Sequence, residues 1–206
     1  MRSRTRKRYH HGNLRQALID VAVRVVARHG IDALNLRQLA AQAGVTAGAP
    51  YHHFANRKAL LSAIAEQGFL RFEADLTAES SMARPDPGAR LEALGLAYVR
   101  FAIAHPGYFR VMFHGDSSSS GATQAGLRVF QLLRDTVVDC QGNGLAPAGD
   151  PAPFVLTAWS AVHGLATLWV DAALPFEGLN PDRLAPEVGH LLVRMLVALA
   201  RDEVRN

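Results

Sequence analysis

The chain has 206 residues, 49% of them apolar, and carries 22 Lys and Arg against 18 Asp and Glu for a formal charge of +4. That composition excludes a disordered tail and provides core enough for one large or two small domains. The single cysteine, Cys140, excludes an internal disulfide and a cysteine-based zinc site, suits a reducing compartment, and reads as a small buried apolar group.

Charge is divided unevenly. Residues 1–60 hold eleven Lys or Arg against two acids, Asp20 and Asp32, whereas the remainder holds eleven against sixteen. Such asymmetry marks a module for nucleic acid or another anionic surface joined to an ordinary domain. The N-terminus, MRSRTRKRYHHGN, is basic with no apolar run behind it, so it is no secretory signal and the expected location is cytoplasmic. Its arm, with Arg6 and Arg8 as candidate contacts, is expected to order only against phosphate or in a groove.

In chain order the elements read as helices. Leu14, Ala17, Leu18, Val21, Ala22 and Val25 recur at spacings of three and four, which predicts an amphipathic helix capped by Asn13 and stopped at Gly30. A second helix follows Asn35, a plausible cap, and ends at Gly44. The segment LRQLAAQAGVTAGAPYHHFANRKAL then resembles the helix-turn-helix of the TetR family of transcriptional repressors, through Leu39, Ala40, Ala43, Gly44, Val45, Tyr51, Phe54 and Leu60. Each match has a physical logic: Ala40 lets two helices cross closely, Gly44 accepts a positive φ, and Leu39, Val45 and Phe54 fill a small core.

The resemblance implies a second, recognition helix delivered to the major groove of duplex DNA. It is expected to start at Thr46 or Ala47, with Gly48, Ala49 and Pro50 in its first turn, where small residues admit the DNA backbone and free N–H groups favour phosphate. Tyr51 is expected on phosphate. His52 and His53 either meet phosphate or base edges or cap the small core. Arg57, where the family usually has lysine, is expected to hold phosphate with a forked donor pair at the start of the next helix. Arg37 and Lys58 are either further phosphate contacts or surface charges with no partner.

Residues 61–206 form an expected second, all-helical domain after a DNA-binding unit of residues 1–60. Its helices read as Leu91–Ala104, a short turn around Tyr108–Phe113, Gln124–Cys140, Phe154–Ala173 and Pro181–Asp202, separated by segments rich in Gly, Pro and Ser, with the serine run expected to be a mobile loop. Phe154–Leu174 approaches membrane-spanning length but carries Ser160, His163, Gly164 and Asp171, so a buried core helix is expected and no membrane partner. The last helix is apolar nearly all round, which requires a partner on two sides. A homodimer through a four-helix bundle with Phe154–Ala173 is the expectation, matching a palindromic operator.

AWSAVHGLATLW resembles the Trp-His-Gly type of TetR C-terminal domain through Trp159, His163 and Gly164. That resemblance implies a small-molecule effector that shifts subunit spacing and releases the operator. Tyr98, Phe101, Phe109, Met112, Phe113, Phe130, Trp159 and Trp169 either line an effector pocket with His163 as its polar anchor or are plain core. No catalytic or metal-binding motif emerges, and His10, His11, His52 and His53 form adjacent pairs without metal-ligand spacing, so neither an enzyme nor a cofactor is expected. The rival reading is a binder of anionic surfaces without sequence preference.

Overall fold

The computed structural model describes residues 14–83, 85–115, 119–172 and 180–203. The basic arm with Arg6 and Arg8, and the expected Asn13 cap, lie outside the described residues, as do residues 116–118 of the serine run. The fold is all-α: α1 (Leu14–His29), α2 (Leu36–Ala43), α3 (Arg57–Met82), α4 (Pro87–Ala104), α5 (Pro106–Met112), α6 (Ser120–Gly142), α7 (Ala152–Val170) and α8 (Pro181–Glu203), with two 3₁₀ turns at Ile31–Ala33 and Ala49–His52.

The expected caps explain where the first helices stop. Gly30 takes φ 78°, and its N–H reaches the Val26 carbonyl at 3.0 Å, ending α1. Asn35 Oδ1 accepts the Arg37 and Gln38 amides at 2.9 and 3.4 Å, opening α2. Gly44, at φ 72°, closes α2 with Gly44 N–H on the Ala41 carbonyl and Val45 N–H on the Ala40 carbonyl, a left-handed C-terminal cap that needs the glycine.

Later helices begin earlier than the loop composition suggests. Asp86 accepts the Ala89 amide at 2.8 Å and Pro87 takes the first helical position, so α4 starts before Leu91. Ser119 accepts the Ala122 amide at 3.1 Å, so α6 starts at Ser120 rather than Gln124. Asp150 accepts the Ala152 amide at 2.9 Å ahead of α7. Residues read as loop chemistry are therefore helix starts, because the same Asp, Ser and Pro serve both purposes.

α4 is the central helix, packing against α3, α5, α6, α7 and α8. The expected division at residues 60 and 61 falls inside α3, a single helix of 26 residues and about 39 Å. One buried cluster runs through it, joining Leu18, Leu39 and Phe54 to Phe72, Tyr98 and Phe101. A smaller cluster of Leu91, Val137, Cys140, Val155 and Leu196 closes the far end, where burial pushes the Cys140 thiol up to about 11. That suits the apolar role expected of it.

The expectation of a core helix at α7 needs correction. α7 is long and apolar enough to cross a membrane, but it buries only the face of Val155, Ala158, Val162 and Ala166, packed against α4 and α8. Leu156 and Leu168 stand exposed on the opposite face, and on α8 Leu191, Met195 and Leu199 are about half exposed, at 56, 58 and 50%. Among the described residues no second layer covers them.

Candidate nucleic-acid interface and apolar cavity

The stretch from Thr46 to Phe54 is a 3₁₀ turn rather than the longer recognition helix expected. Ala49 N–H bonds the Thr46 carbonyl at 3.0 Å and Tyr51 N–H the Gly48 carbonyl at 3.1 Å, both i to i−3. Pro50 is the reason: an α-turn would need its missing N–H on the Thr46 carbonyl, and the Ala49 amide takes that place. His53 and Phe54 N–H groups then share the Pro50 carbonyl at 3.0 and 2.9 Å. Pro50 and Phe54 are buried and anchor the turn. Thr46, Ala47, Gly48, Tyr51, His52 and His53 are exposed, Tyr51 at 48%, and Ala49 is half-buried.

Among the expected cations, Arg37 and Lys58 are exposed near this turn in sequence. Arg57 is not simply presented to solvent. Its Nη2 donates to the Ile31 carbonyl at 2.7 Å and lies 3.8 Å from Asp32, while its Nε is buried without a partner. The guanidinium is thus a strut from the start of α3 to the connection between α1 and α2, and one limb of the expected fork is already committed. Sequence reasoning missed Arg15, whose guanidinium lies 5.4 Å from the Phe54 ring centroid and adds a cation beside the turn. Its signal was its place on the polar face of α1.

The helical half holds a cavity of about 360 Å³, open on one side where Thr123 and Leu127 are exposed, within the range of small-molecule sites. Phe69, Phe72 and Leu76 of α3 form one wall; Leu91, Leu94, Gly95 and Tyr98 of α4 form another. Phe130, Gly126 and Leu127 of α6, Trp159 and Val162 of α7, Leu192 of α8 and Phe113 complete it. Of the nine residues expected there, Tyr98, Phe113, Phe130 and Trp159 face the cavity. Phe101, Phe109, Met112, His163 and Trp169 do not, and that expectation is corrected. Phe101 packs at a tilt against Phe72, 4.8 Å between centroids, Met112 packs beneath Gly68, and Phe109 and His163 lie against Tyr98. Trp169 is half-buried near the end of α7. The α3 wall was missed although Phe69, Phe72 and Leu76 repeat at helical spacing.

Tyr98 is the polar pole. Its hydroxyl accepts Trp159 Nε1–H at 3.3 Å and shares a proton with His163 Nδ1 at 2.7 Å. Burial raises the Tyr98 ionisation well above the ordinary tyrosine range and lowers His163, so both stay neutral near pH 7.

Residues 91–202 match the family model described as tetracyclin repressor-like, C-terminal domain, and residues 18–64 match that of the bacterial regulatory proteins of the tetR family. The chain belongs to the TetR family of DNA-binding transcription regulators. A solved structure of a protein with unknown function from Rhodococcus sp. RHA1 shares 36% identity and a TM-score of 0.78, covering 93% of this chain and 100% of that one. AibR, solved in complex with isovaleryl coenzyme A and operator DNA, shares the fold at 20% identity and a TM-score of 0.69, covering 89% of this chain and 97% of its own. The Transposon Tn10 TetC protein of Escherichia coli is 34% identical over 67 residues, 32% of this chain. The match spans only 34% of that curated relative's length.

This TetR-family chain ties its N-terminal helices to the cavity-bearing half through α5. A Cβ on Gly107 would overlap the Val23 carbonyl oxygen, so the glycine lets α5 lie directly on the α1 backbone. Arg110 Nη1 donates to the Ala27 carbonyl at 2.9 Å at the end of α1, and its Nη2 donates to the Val170 carbonyl at 2.6 Å at the end of α7. Asp171 accepts from its Nε at 3.2 Å. Nearby, Gln67 Nε2 donates to Gln16 Oε1 at 2.6 Å and Tyr108 donates to Gln67 Oε1 at 3.2 Å, clamping α3, α1 and α5.

Proposed function

We propose that the chain is a ligand-responsive transcriptional repressor that binds a palindromic operator as a homodimer in the cytoplasm. The observation that carries the reading is the turn from Thr46 to His53: small and polar residues exposed together on a support of buried Pro50 and Phe54. Such a turn enters a major groove, with Tyr51, His52 and His53 meeting phosphate or base edges and Thr46, Ala47, Gly48 and Ala49 admitting the backbone. Arg6, Arg8, Arg37, Arg57 and Lys58 supply phosphate contacts. Residues 1–60 serve DNA, and residues 61–206 serve the effector and dimerisation.

The dimer reading is supported by the uncovered apolar faces of α7 and α8. Leu191, Met195 and Leu199 form a stripe at steps of four, and on α7 Leu156, Ser160, Gly164 and Leu168 do the same. A Cβ on Gly164 would meet nothing, which leaves room for a partner helix to approach closely. A four-helix bundle of these faces buries them. The effector reading is supported by the cavity and by AibR, whose complex shows one protein of this fold holding an acyl-coenzyme A and operator DNA. Effector binding favours a state with the wrong half-site distance, and α3 and α5, which touch both regions, carry the change.

Footprinting the DNA upstream of its own coding region tests the proposal, with the protected duplex then set against scrambled duplex at one salt concentration. Two protected half-sites about 34–36 Å apart, bound by a dimer, are expected. Equal affinity for scrambled duplex favours the anionic-surface rival instead, and a monomer at binding concentrations rejects the dimer.

A further inference from the structure

Resting on the effector reading above, we infer that the cavity takes an uncharged, hydrocarbon-rich ligand of about 11–15 non-hydrogen atoms, with one neutral hydrogen-bonding group directed at Tyr98. The size follows by proportion: an apolar cavity of about 150 Å³ holds benzene, and this one measures about 360 Å³.

The ligand's charge follows from the walls. Among the described lining residues none is Asp, Glu, Lys, Arg or His, and the polar groups are the Tyr98 hydroxyl, the Trp159 N–H and Thr123 at the exposed rim. Three cations on the surrounding elements are engaged elsewhere. Arg128 grips Glu73 with contacts of 2.6 and 2.8 Å, Arg90 grips Asp139 at 2.6 Å, and Arg110 is spent on the ends of α1 and α7. A carboxylate, phosphate or ammonium inside would therefore lose its water without gaining a counter-charge, a cost that the apolar contacts of so small a ligand do not offset.

The polar end follows from the proton count at Tyr98. Its oxygen already accepts Trp159 Nε1–H and shares one proton with His163 Nδ1. With the His163 hydrogen on Nε2, Tyr98 donates to Nδ1 and keeps a lone pair for a ligand hydroxyl. With it on Nδ1, Tyr98 accepts and turns its own O–H toward a ligand carbonyl. One neutral group is satisfied either way, and a second polar group away from the Thr123 rim would face carbon.

The test is calorimetric titration of the full chain with 1-decanol, decanoate and decylammonium at pH 7. Decanol should bind saturably, one per chain, and the ammonium should not bind. Decanoate should bind at least about 100-fold more weakly, because only its neutral acid enters and a carboxyl group ionises near pH 4.3. Relative to decanol, its affinity should rise about tenfold from pH 7 to pH 6. Ala158→Leu, which fills the cavity wall, should abolish decanol binding. Tyr98→Phe should weaken it by roughly fivefold to tenfold. Should Ala158→Leu misfold, Trp169→Phe leaves Trp159 as the one remaining tryptophan of the chain's two, and decanol should shift its emission.

Decanoate or decylammonium binding as tightly as decanol at pH 7 overturns the inference, as does an absence of saturable decanol binding or binding indifferent to Ala158→Leu. The same titrations with the footprinted duplex separate the two readings. A charged probe that occupies the cavity and releases DNA overturns the ligand class and leaves the effector site standing. Decanol that fills the cavity without changing DNA affinity supports the ligand class and counts against the effector role.

Discussion

The turn at Thr46–Phe54 and the cavity in the helical half are built by opposite rules. The turn exposes its working groups and buries only its supports, Pro50 and Phe54, so its chemistry is carried by nine consecutive residues. The cavity draws on five helices and on residues from Phe69 to Leu192. Its working surface is a packing defect rather than a motif. An exposed side chain of the turn can be changed without disturbing packing, whereas a change in one cavity wall is felt by the others.

The largest test of this contrast lies inside the turn. Phe54→Ala should cost about 3–5 kcal/mol, read as a fall in the urea midpoint, because it empties a buried ring site beneath the turn. A loss under 1 kcal/mol would break the distinction between support and working surface.

The junction between the two regions comes next. Gly107→Ala forces a methyl group against the Val23 carbonyl, a backbone atom that cannot swing aside, and should cost about 2–3 kcal/mol by thermal unfolding. An unchanged Tm would mean that α5 does not bear on α1 as described.

Tyr51→Ala sharpens the comparison from the other side. Its stability should change by less than about 0.5 kcal/mol, while affinity for the footprinted duplex should fall about tenfold in a filter-binding or anisotropy titration. Loss of stability with unchanged DNA affinity would reverse the assignment of roles between Tyr51 and Phe54.

The smallest effect belongs to His163. Burial holds its folded pKa below the ordinary 6.5, so the unfolded chain takes up a proton first as the pH falls. The stability linked to neutral His163 is present above pH 6.5 and is lost as the pH drops through the lower folded value. His163→Gln should therefore flatten the acid limb of a stability-versus-pH curve below 6.5, while an unchanged limb would place the titration elsewhere.

Much of the DNA-facing region was legible because its signals are local. Asn35, Gly44 and Gly30 act through bonds to residues a few positions away, and the helical period of α1 places Leu18, Val21 and Ala22 inward wherever the helix docks. The exceptions within that region arise where a distant group intervenes. Arg57 is expected to spend its forked donor pair on phosphate, yet the fold brings the Ile31 carbonyl within 2.7 Å of it. A first helical turn tolerates Pro50, but with no amide to bond the Thr46 carbonyl the chain takes a 3₁₀ conformation there.

The cavity was half legible. Aromatic residues on α4, α6 and α7 were recognised as pocket or core, but the choice between the two was not available from their spacing. Tyr98 faces the cavity while Phe101, one turn on, fills the contact with Phe72. Both belong to the buried side of α4.

The all-helical fold, the unequal charge of the two halves and the caps of α2 follow from the residues alone, because propensity, periodicity and capping act within a few positions of chain. The space between α3, α4, α6, α7 and α8, the commitment of Arg57, Arg90, Arg110 and Arg128 to partners, and the joining of α1 to the helical half by Arg110 and Gly107 come from the folded packing. Those properties depend on how helices distant in sequence approach one another, and packing at close density is a property of the whole assembly of side chains rather than of any single segment.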